Sequence, residues 1–545
     1  MSARAAVVAG SVLLLIGVTF SLYLATLTHF HSFDSVAYAL NIRRFEETGR
    51  AGWLFHPHHL LFNCLGWISH ETLVCLVDSE ATTLTALQVF TCGFGALGVG
   101  LFAVWIHEET RSRYVSALAA AALGGSWGWW FASTDGRANV AATALLPLVL
   151  WALSRAARAS PSSGSLPKRY AGLAGLALGA VCLLHESHVL FLPVALGAAF
   201  LPAAPLKARL RRAIALLAAF TATVAIPYVL VLILVKRLGT LSEMQAWLLS
   251  YARQDTWWSF ALEENLFKDA RAEWKFLTGQ DLSAPGGSLI WGGPASSVSL
   301  LLWTVLTATG IYGWFRGRIP RSGPTIQPPS FGGAVALSGL ILYAAFFTIW
   351  DPGYYVFWCV QSLFFIALLA FGWQSAARTK SVRAALFLIV LTLGVINYSA
   401  AIQPRQETTR NPHLGLAQAV RPIADRGGIL LATGTGKAAE AEVYVPYFAR
   451  MQVLVLHQAF AEANGDPDQA FASLQQTVGK VLGRGNCVFL LSEVVTPGEG
   501  QRALARRYGV SPGQIEAFLS RYQRHRVGAY QDLILYRLSP RRQQH

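Results

Sequence analysis

The sequence predicts an α-helical polytopic membrane protein with about eleven crossings, N-terminus inside and C-terminus outside, ending in a small extracytoplasmic α/β domain. Three observations carry this. Of 545 residues, 54% are hydrophobic and only 13% charged, with a mean hydropathy of +0.42, a composition suited to lipid rather than water. Apolar runs of about 20 residues, the length a helix needs to cross a bilayer, recur through residues 1–403. After Pro404 the chain turns polar, and apolar residues alternate between strand-like and helix-like periods.

The first run, Ala5 to Leu27, is too long for a signal-peptide core and lacks an A-x-A cleavage site, so it reads as a retained helix. Further crossings are expected near 82–106, 114–131, 138–154, 170–185, 188–203, 213–235, 296–315, 332–350, 356–374 and 384–402. The stretch from Leu60 to Val77 is apolar but interrupted by Asn63, His70 and Glu71, which predicts a helix lying in the interface. Trp247, Trp257 and Trp258 favour the headgroup zone, so the loop at 236–295 is expected to hold a second amphipathic element.

Basic residues orient the crossings. Counting from Arg4, alternate connections carry Arg111 and Arg113; Arg155, Arg158, Lys168 and Arg169; Lys207, Arg209, Arg211 and Arg212; Arg316, Arg318 and Arg321; and Arg378, Lys380 and Arg383. These are the cytoplasmic loops. That distribution accounts for the net charge of +15, and with no nucleic-acid motif present it excludes a nucleic-acid partner in favour of membrane lipids. Six cysteines, at 64, 75, 92, 182, 359 and 487, form no CxxC pair and imply neither a disulfide framework nor a metal cage.

The opposite loops hold the chemistry. Directly after the first crossing comes FDSVAYALNIRRFEETGRAGWLFHPHHLLFN, Phe33 to Asn63. A helix from Ser32 to Phe45 places Asp34, Tyr38, Asn41 and Phe45 on one face, with Arg43 turned away and Arg44 to the side. Pro57 suits the first position of a new helix, with His56 at its cap and His58 and His59 in a first turn whose free N–H groups attract anions. Other outer loops supply Asp135 and Arg137 (TDGR), His185, Glu186 and His188 (HESH), and Asp351 and Tyr354 (WDPGY). Taken singly, each residue has a plainer role: an interfacial anchor for Arg137 paired with Asp135, helix caps for the HESH residues, a turn cap for Asp351. The gathering of ionisable groups from these separate loops on one side argues for a site.

Metal ligation is not predicted. Phe33 and Ser35 flank Asp34, so no DxD pair exists, and HESH lacks the histidine that HExxH needs, since Val189 stands there. A site built from His56, His58 and His59 with Asp34 stays a lesser alternative, which leaves a divalent cofactor open.

In residues 404–545, GGILLATG, MQVLVLHQ, NCVFLLSEV and DLILYRLS read as strands, and DPDQAFASLQQTVGKVLGRG and PGQIEAFLSRYQ as helices. TGTGKA (433–438) is not a P-loop, because Leu431 stands where its first glycine belongs and Ala438 replaces Ser/Thr.

The acid after the first crossing, the following Tyr38, and His56-Pro57-His58 together resemble the first outer loop of the GT-C superfamily of membrane glycosyltransferases, which includes protein O-mannosyltransferases and aminoarabinose transferases. The resemblance implies a transmembrane domain (1–403) with a catalytic first outer loop (28–80), and a soluble domain (404–545). It implies transfer of a sugar, with inversion, from a polyprenyl-phosphate donor to a lipid, glycan or protein acceptor on the outer face, in a bacterial inner membrane. Asp34 would be the general base. Tyr38, Arg44, His56, His58, His59, Asp135, Arg137, His185, Glu186, His188, Asp351 and Tyr354 would line the substrates. The chain departs from the family pattern in lacking a second acid beside Asp34 and in carrying His58 where a proline often stands. The competing class is a transporter or lipid-handling protein with a partner-binding outer domain; it calls for broken helices in matching halves, and no internal repeat is visible.

Overall fold

A computed structural model of the chain describes residues 3–77, 82–159, 166–201, 204–250, 257–279, 294–318, 330–424, 427–434 and 438–541. Arg321, the loop residues 251–256 and 280–293, and residues 435–437 of TGTGKA lie outside the described residues. The chain divides into two compact units: one of residues 1–28 and 41–406, the other of 29–40 and 407–545.

The first unit is helical. In chain order its helices are α1 (Ala3–Leu24), the second half of α2 (Phe33–Thr48), α3 (Phe62–Val77), α4 (Thr83–Thr110), α5 (Arg113–Gly124), α6 (Trp127–Asp135), α7 (Ala138–Thr143), α8 (Leu146–Arg158), α9 (Leu166–Leu184), α10 (Phe191–Phe200), α11 (Leu206–Leu230), α12 (Leu241–Leu248), α13 (Leu262–Thr278), α14 (Pro294–Arg318), α15 (Phe331–Phe347), α16 (Trp358–Ala376) and α17 (Lys380–Asn397). Among the described residues, six helical segments are long and apolar enough to cross a membrane: 83–110, 138–158, 206–235, 297–317, 355–376 and 380–406; 9–24, 186–200 and 331–347 are apolar but shorter. The crossing expected at 114–131 is instead two helices, α5 and α6, broken at Gly125 and Ser126. Asn397 Nδ2 donates to the Gly125 carbonyl exposed by that break at 2.8 Å and to the Leu277 carbonyl at 3.0 Å, tying α17 and α13 to it.

Small residues let these helices approach closely, as bilayer packing requires. A Cβ on Gly313 would lie 1.9 Å from the Gly372 carbonyl oxygen, so α14 and α16 touch backbone to backbone. The core around them is aromatic, with Trp105, Trp127, Trp129 and Trp373 fully buried. At the α4 end, Arg158 reaches Glu108 at 3.0 Å and Glu109 at 2.7 Å, and Arg111 pairs with Glu108 at 3.1 Å, so part of the basic charge in those loops is neutralised locally.

The interfacial stretch expected at 60–77 is the helix α3, with Ile68, Val74, Leu76 and Val77 exposed. In the loop after residue 236, α12 starts at a Thr240–Glu243 capping box, and α13 follows with Leu262, Leu266 and Phe267 exposed, as is Phe260 just before it. Such faces suit burial in a headgroup layer.

The second unit is a five-stranded sheet with helices. Its strands are β1 (Ile429–Ala432), β2 (Gln452–Val455), β3 (Val488–Leu491), β4 (Tyr522–Tyr530) and β5 (Leu533–Pro540), in spatial order β2-β1-β3-β5-β4. β1 runs parallel to β2 and β3, with Leu431 opposite Leu454 and Leu490, and β5 is antiparallel to β3 and β4. Central β1 and β3 are buried throughout, which explains their uninterrupted apolar sequences. The helices α18 (Pro412–Val420), α19 (Ala441–Tyr444), α20 (Leu456–Glu462), α21 (Pro467–Gly483), α22 (Glu499–Tyr508) and α23 (Pro512–Leu519) complete it. Phe460, Leu474, Leu504 and Ile515 join the sheet residues in its core. The helix expected through Gln523 stops at Leu519, and β4 takes the following residues. Glu493 Oε1 accepts from the Thr433 N–H at 2.8 Å and the Thr433 hydroxyl at 2.6 Å, so a carboxylate fills the turn after β1.

Candidate functional site

The stretch expected to form a helix after Ser32 does so. The Ser32 hydroxyl accepts from the Ser35 N–H at 3.3 Å and caps α2, Asp34 sits half-buried in its first turn, where a negative charge meets the helix dipole favourably, and Tyr38 is buried one turn on. Residues to Leu40 belong to the second unit and those from Asn41 to the first. Arg44 lies over the Trp53 ring at 4.8 Å, a cation–π contact rather than a phosphate-ready fork.

Within the first unit the predicted histidines gather at two short turns. Pro57–His59 is a single 3-10 turn capped by His56, whose Nδ1 accepts from the His58 N–H at 3.4 Å. The turn is pinned by the Tyr228 hydroxyl donating to the Pro57 carbonyl at 2.5 Å and by Leu61 N–H donating to the Leu183 carbonyl at 2.9 Å. Beside it lies the turn Glu186–Leu190, and His58 Nδ1 pairs with the Glu186 carboxylate. His56 and His59 stack at 4.5 Å. His185 meets Asn139 at 3.2 Å and Ser187 at 2.8 Å, and His188 meets Tyr343 at 2.9 Å and Thr143 at 3.4 Å.

Burial, with His58 and Lys236 as further causes, pulls His56 down to about 3; burial and His58 do the same to His185; burial pulls His59 well below its usual range. At neutral pH these three imidazoles are therefore uncharged, able to donate or accept hydrogen bonds but not to supply positive charge. Lys236, donating to the Gly52 carbonyl at 2.9 Å, is a cation that acts on His56.

A second group forms around Arg137. Gly136, at φ 91°, ends α6 in the left-handed conformation and turns the chain so that Asp135 and Arg137, two residues apart, face each other. Arg137 Nε donates to Asp135 Oδ2 at 2.8 Å with both side chains buried, Nη1 to the Tyr354 hydroxyl at 3.4 Å and Nη2 to the Tyr355 hydroxyl at 3.0 Å. Its guanidinium covers Phe131 and Tyr355, each at 5.4 Å. Arg405 lies over Trp127 at 4.7 Å and Phe131 at 5.3 Å, and Lys275 over Tyr355 at 4.9 Å. Three cations thus converge on one cluster of aromatic rings, an arrangement able to bind an oxyanion such as phosphate.

Sequence reasoning found Asp135, Arg137 and Tyr354, but not Arg405, Lys275 or Tyr355. Arg405 follows the last long apolar run just as Asp34 follows the first, and that symmetry was its available signal. Asp351, at φ 48°, donates its N–H to the Trp257 carbonyl at 2.6 Å and accepts at its own carbonyl from the Tyr354 N–H, so its backbone closes the turn that presents Tyr354 and Tyr355. Among the described residues, His56, His58 and His59 form no group with metal-ligand spacing; Glu46, His70 and Glu71 do, their ligand atoms lying within 4.8 Å of one another. His70 Nδ1 already meets Glu46 at 2.8 Å, and Glu71 accepts from Trp67 Nε1 at 3.1 Å.

No protein-family model matches the sequence, and no curated protein matches it significantly. Solved structures do. ArnT from Cupriavidus metallidurans bound to undecaprenyl phosphate aligns over 97% of this chain and 98% of its own, at 13% identity and a TM-score of 0.59. Its apo form aligns over the same shares at 13% identity and 0.50. An oligosaccharyltransferase from Archaeoglobus fulgidus aligns over 94% of this chain and 69% of its own, at 11% identity and 0.43. Over 97% of its length the chain has the fold of ArnT from Cupriavidus metallidurans, and its described residues include six helices long and apolar enough to cross a membrane.

Proposed function

We propose that the protein is a membrane glycosyltransferase that moves a sugar, with inversion, from a polyprenyl-phosphate donor to a hydroxyl or amine of a lipid, glycan or protein acceptor. The observation that carries this is the full-length likeness to an ArnT structure holding undecaprenyl phosphate. The three-cation aromatic cluster adds a physical reason, because the donor's leaving group is a phosphate.

In this reading Asp34 takes the proton as the acceptor oxygen or nitrogen attacks the anomeric carbon. The anomeric C–O bond breaks with its electron pair passing to the polyprenyl phosphate. A base must lie within about 3 Å of the proton it removes. Charge building on the phosphate is met by Arg137, Arg405 and Lys275, fixed in place before the reaction by rings and hydroxyls. His56, His58, His59, His185 and His188, with Glu186, act as polar lining. The chemistry takes place on the outer face of a bacterial inner membrane, with about eleven crossings and the N-terminus inside.

The test is direct. Purified protein is incubated with a panel of undecaprenyl-phosphate-linked radiolabelled sugars and bacterial envelope extract, and released undecaprenyl phosphate is measured. Asp34→Asn is expected to insert and fold normally yet abolish release. Release at the wild-type rate in that variant removes Asp34 from the mechanism, and absence of release with every donor removes the transferase.

A further inference from the structure

We infer that the C-terminal unit is a positioning device for Asp34, acting through Tyr444 and Asn411; the inference rests on the proposed role of Asp34 as base. The second unit contains more than the C-terminal residues: His29–Leu40, the segment that carries Asp34, folds with them. Two polar side chains fasten it. Tyr444, fully buried at the end of α19, donates its hydroxyl to the His31 carbonyl at 2.5 Å across 413 residues of sequence. Asn411, 1% exposed, donates through Nδ2 to the same hydroxyl at 3.0 Å and to the His29 carbonyl at 3.2 Å. The His31 ring then lies on Phe448 at 6.3 Å and 24°, and Phe448 in turn packs on Tyr444 at 5.5 Å.

The carbonyls of His29 and His31, two residues apart in the irregular segment before α2, are therefore held by one hydrogen-bonded pair of side chains, Tyr444 and Asn411. The next residue, Ser32, caps α2, and Asp34 is the second residue of that helix. From the held carbonyl to the carboxylate there is only a capped helix start, with few free torsions. Any shift at His31 passes to Asp34 nearly undiminished. Buried donors must find acceptors, so the C-terminal core completes its own hydrogen bonding by holding this segment. The opposite carbonyl-accepting duty of Asn411 is separate: its Oδ1 accepts from the His413 and Leu414 N–H groups at 3.0 and 3.1 Å and caps α18.

That division makes a clean experiment. Asn411→Asp keeps the cap oxygen and removes both donated bonds, and Tyr444→Phe removes one hydroxyl from an otherwise unchanged ring. Misplacement by about 1 Å costs on the order of a hundredfold in rate. Both variants, in full-length protein, are expected to lower kcat for undecaprenyl phosphate release at least about tenfold with KM within about twofold, by the same reasoning. The donor is the undecaprenyl-phosphate sugar fastest in the panel above. Hydrogen exchange is expected to speed up in a peptide covering residues 29–40 and to stay unchanged in β1 and β3. Wild-type kcat in both variants, or a fall in kcat without faster exchange at 29–40, overturns the inference. Asp34→Asn, run in parallel, separates the two levels: if it too is fully active, the base assignment itself has failed; if it is inactive while both variants match wild type, only the positioning role has.

Discussion

Arg137 and Tyr355 are joined twice: the guanidinium donates to the tyrosine hydroxyl at 3.0 Å and also lies over a tyrosine ring face at 5.4 Å. A group held by both edge and face has one orientation. Together with its 2.8 Å bond to Asp135, this makes Arg137 a fixed fork rather than a swinging anchor.

The Asp135–Arg137 pair predicts an asymmetry in stability. Both side chains are almost fully buried, at 0% and 4% exposure. Arg137→Met takes the bonded guanidinium away from a buried carboxylate and is expected to cost about 3–5 kcal/mol. Adding Asp135→Asn is expected to recover most of that loss. Thermal unfolding in detergent reads both; a double variant no more stable than Arg137→Met would show that the pair is not the source.

Arg405 and Lys275 predict an effect on binding instead. Each shares its ring cluster with Arg137. Arg405→Gln and Lys275→Gln are each expected to weaken undecaprenyl phosphate binding about tenfold, or 1.4 kcal/mol, measured as a Kd on purified protein. Affinity unchanged in both would place the phosphate elsewhere.

Much of this was legible in the sequence. Runs of apolar residues at bilayer length become helices, because lipid leaves the backbone no other partner, and the uninterrupted ILLA and VFLL runs are the buried parallel strands. Short-range constellations were readable too: Asp135 and Arg137 are two residues apart and meet through the intervening glycine. What was not legible depends on distance or on weak pattern. β4 is an edge strand whose sequence QRHRV carries its polar groups to solvent, so it shows no apolar alternation. The bond between Tyr444 and His31 spans 413 residues and rests on one tyrosine in an ordinary helix. The charge state of His56 and His185 was equally hidden, since their neutrality comes from burial and from His58 beside both.

Those two histidines predict a pH dependence. Their folded values, about 3, lie below the usual 6.5. Between those limits the unfolded chain binds more protons than the folded one, so stability is complete above about pH 6.5 and falls as pH drops toward 3, by up to about 1.4 kcal/mol per pH unit for each group. The expected result is a falling Tm from pH 6.5 to 4.5 that flattens measurably in a His56→Gln/His185→Gln variant. An identical slope in that variant would assign the acid sensitivity to other groups.

The sheet of the second unit carries a last prediction. In an open α/β sheet, ligands bind at the carboxyl ends of the strands where the chain order reverses. Here that point lies between β1 and β3, since β2 flanks β1 on its other side. The Glu493 carboxylate occupies it, accepting from the Thr433 N–H and hydroxyl at 2.8 and 2.6 Å, in the place where a bound phosphate would take backbone donors. The carboxylate is thus an internal substitute for an anionic ligand, and the unit is expected to bind neither ATP nor other nucleotides at millimolar concentration. Removing it tests the point from both sides. Glu493→Ala removes the carboxylate that accepts from two partly buried donors and is expected to lower stability by about 1–3 kcal/mol, and added inorganic phosphate is expected to restore part of that loss by filling the same turn. Nucleotide binding by the unaltered protein, abolished by nothing but substitution of Thr433, would reverse the assignment and make the turn a ligand site in its own right.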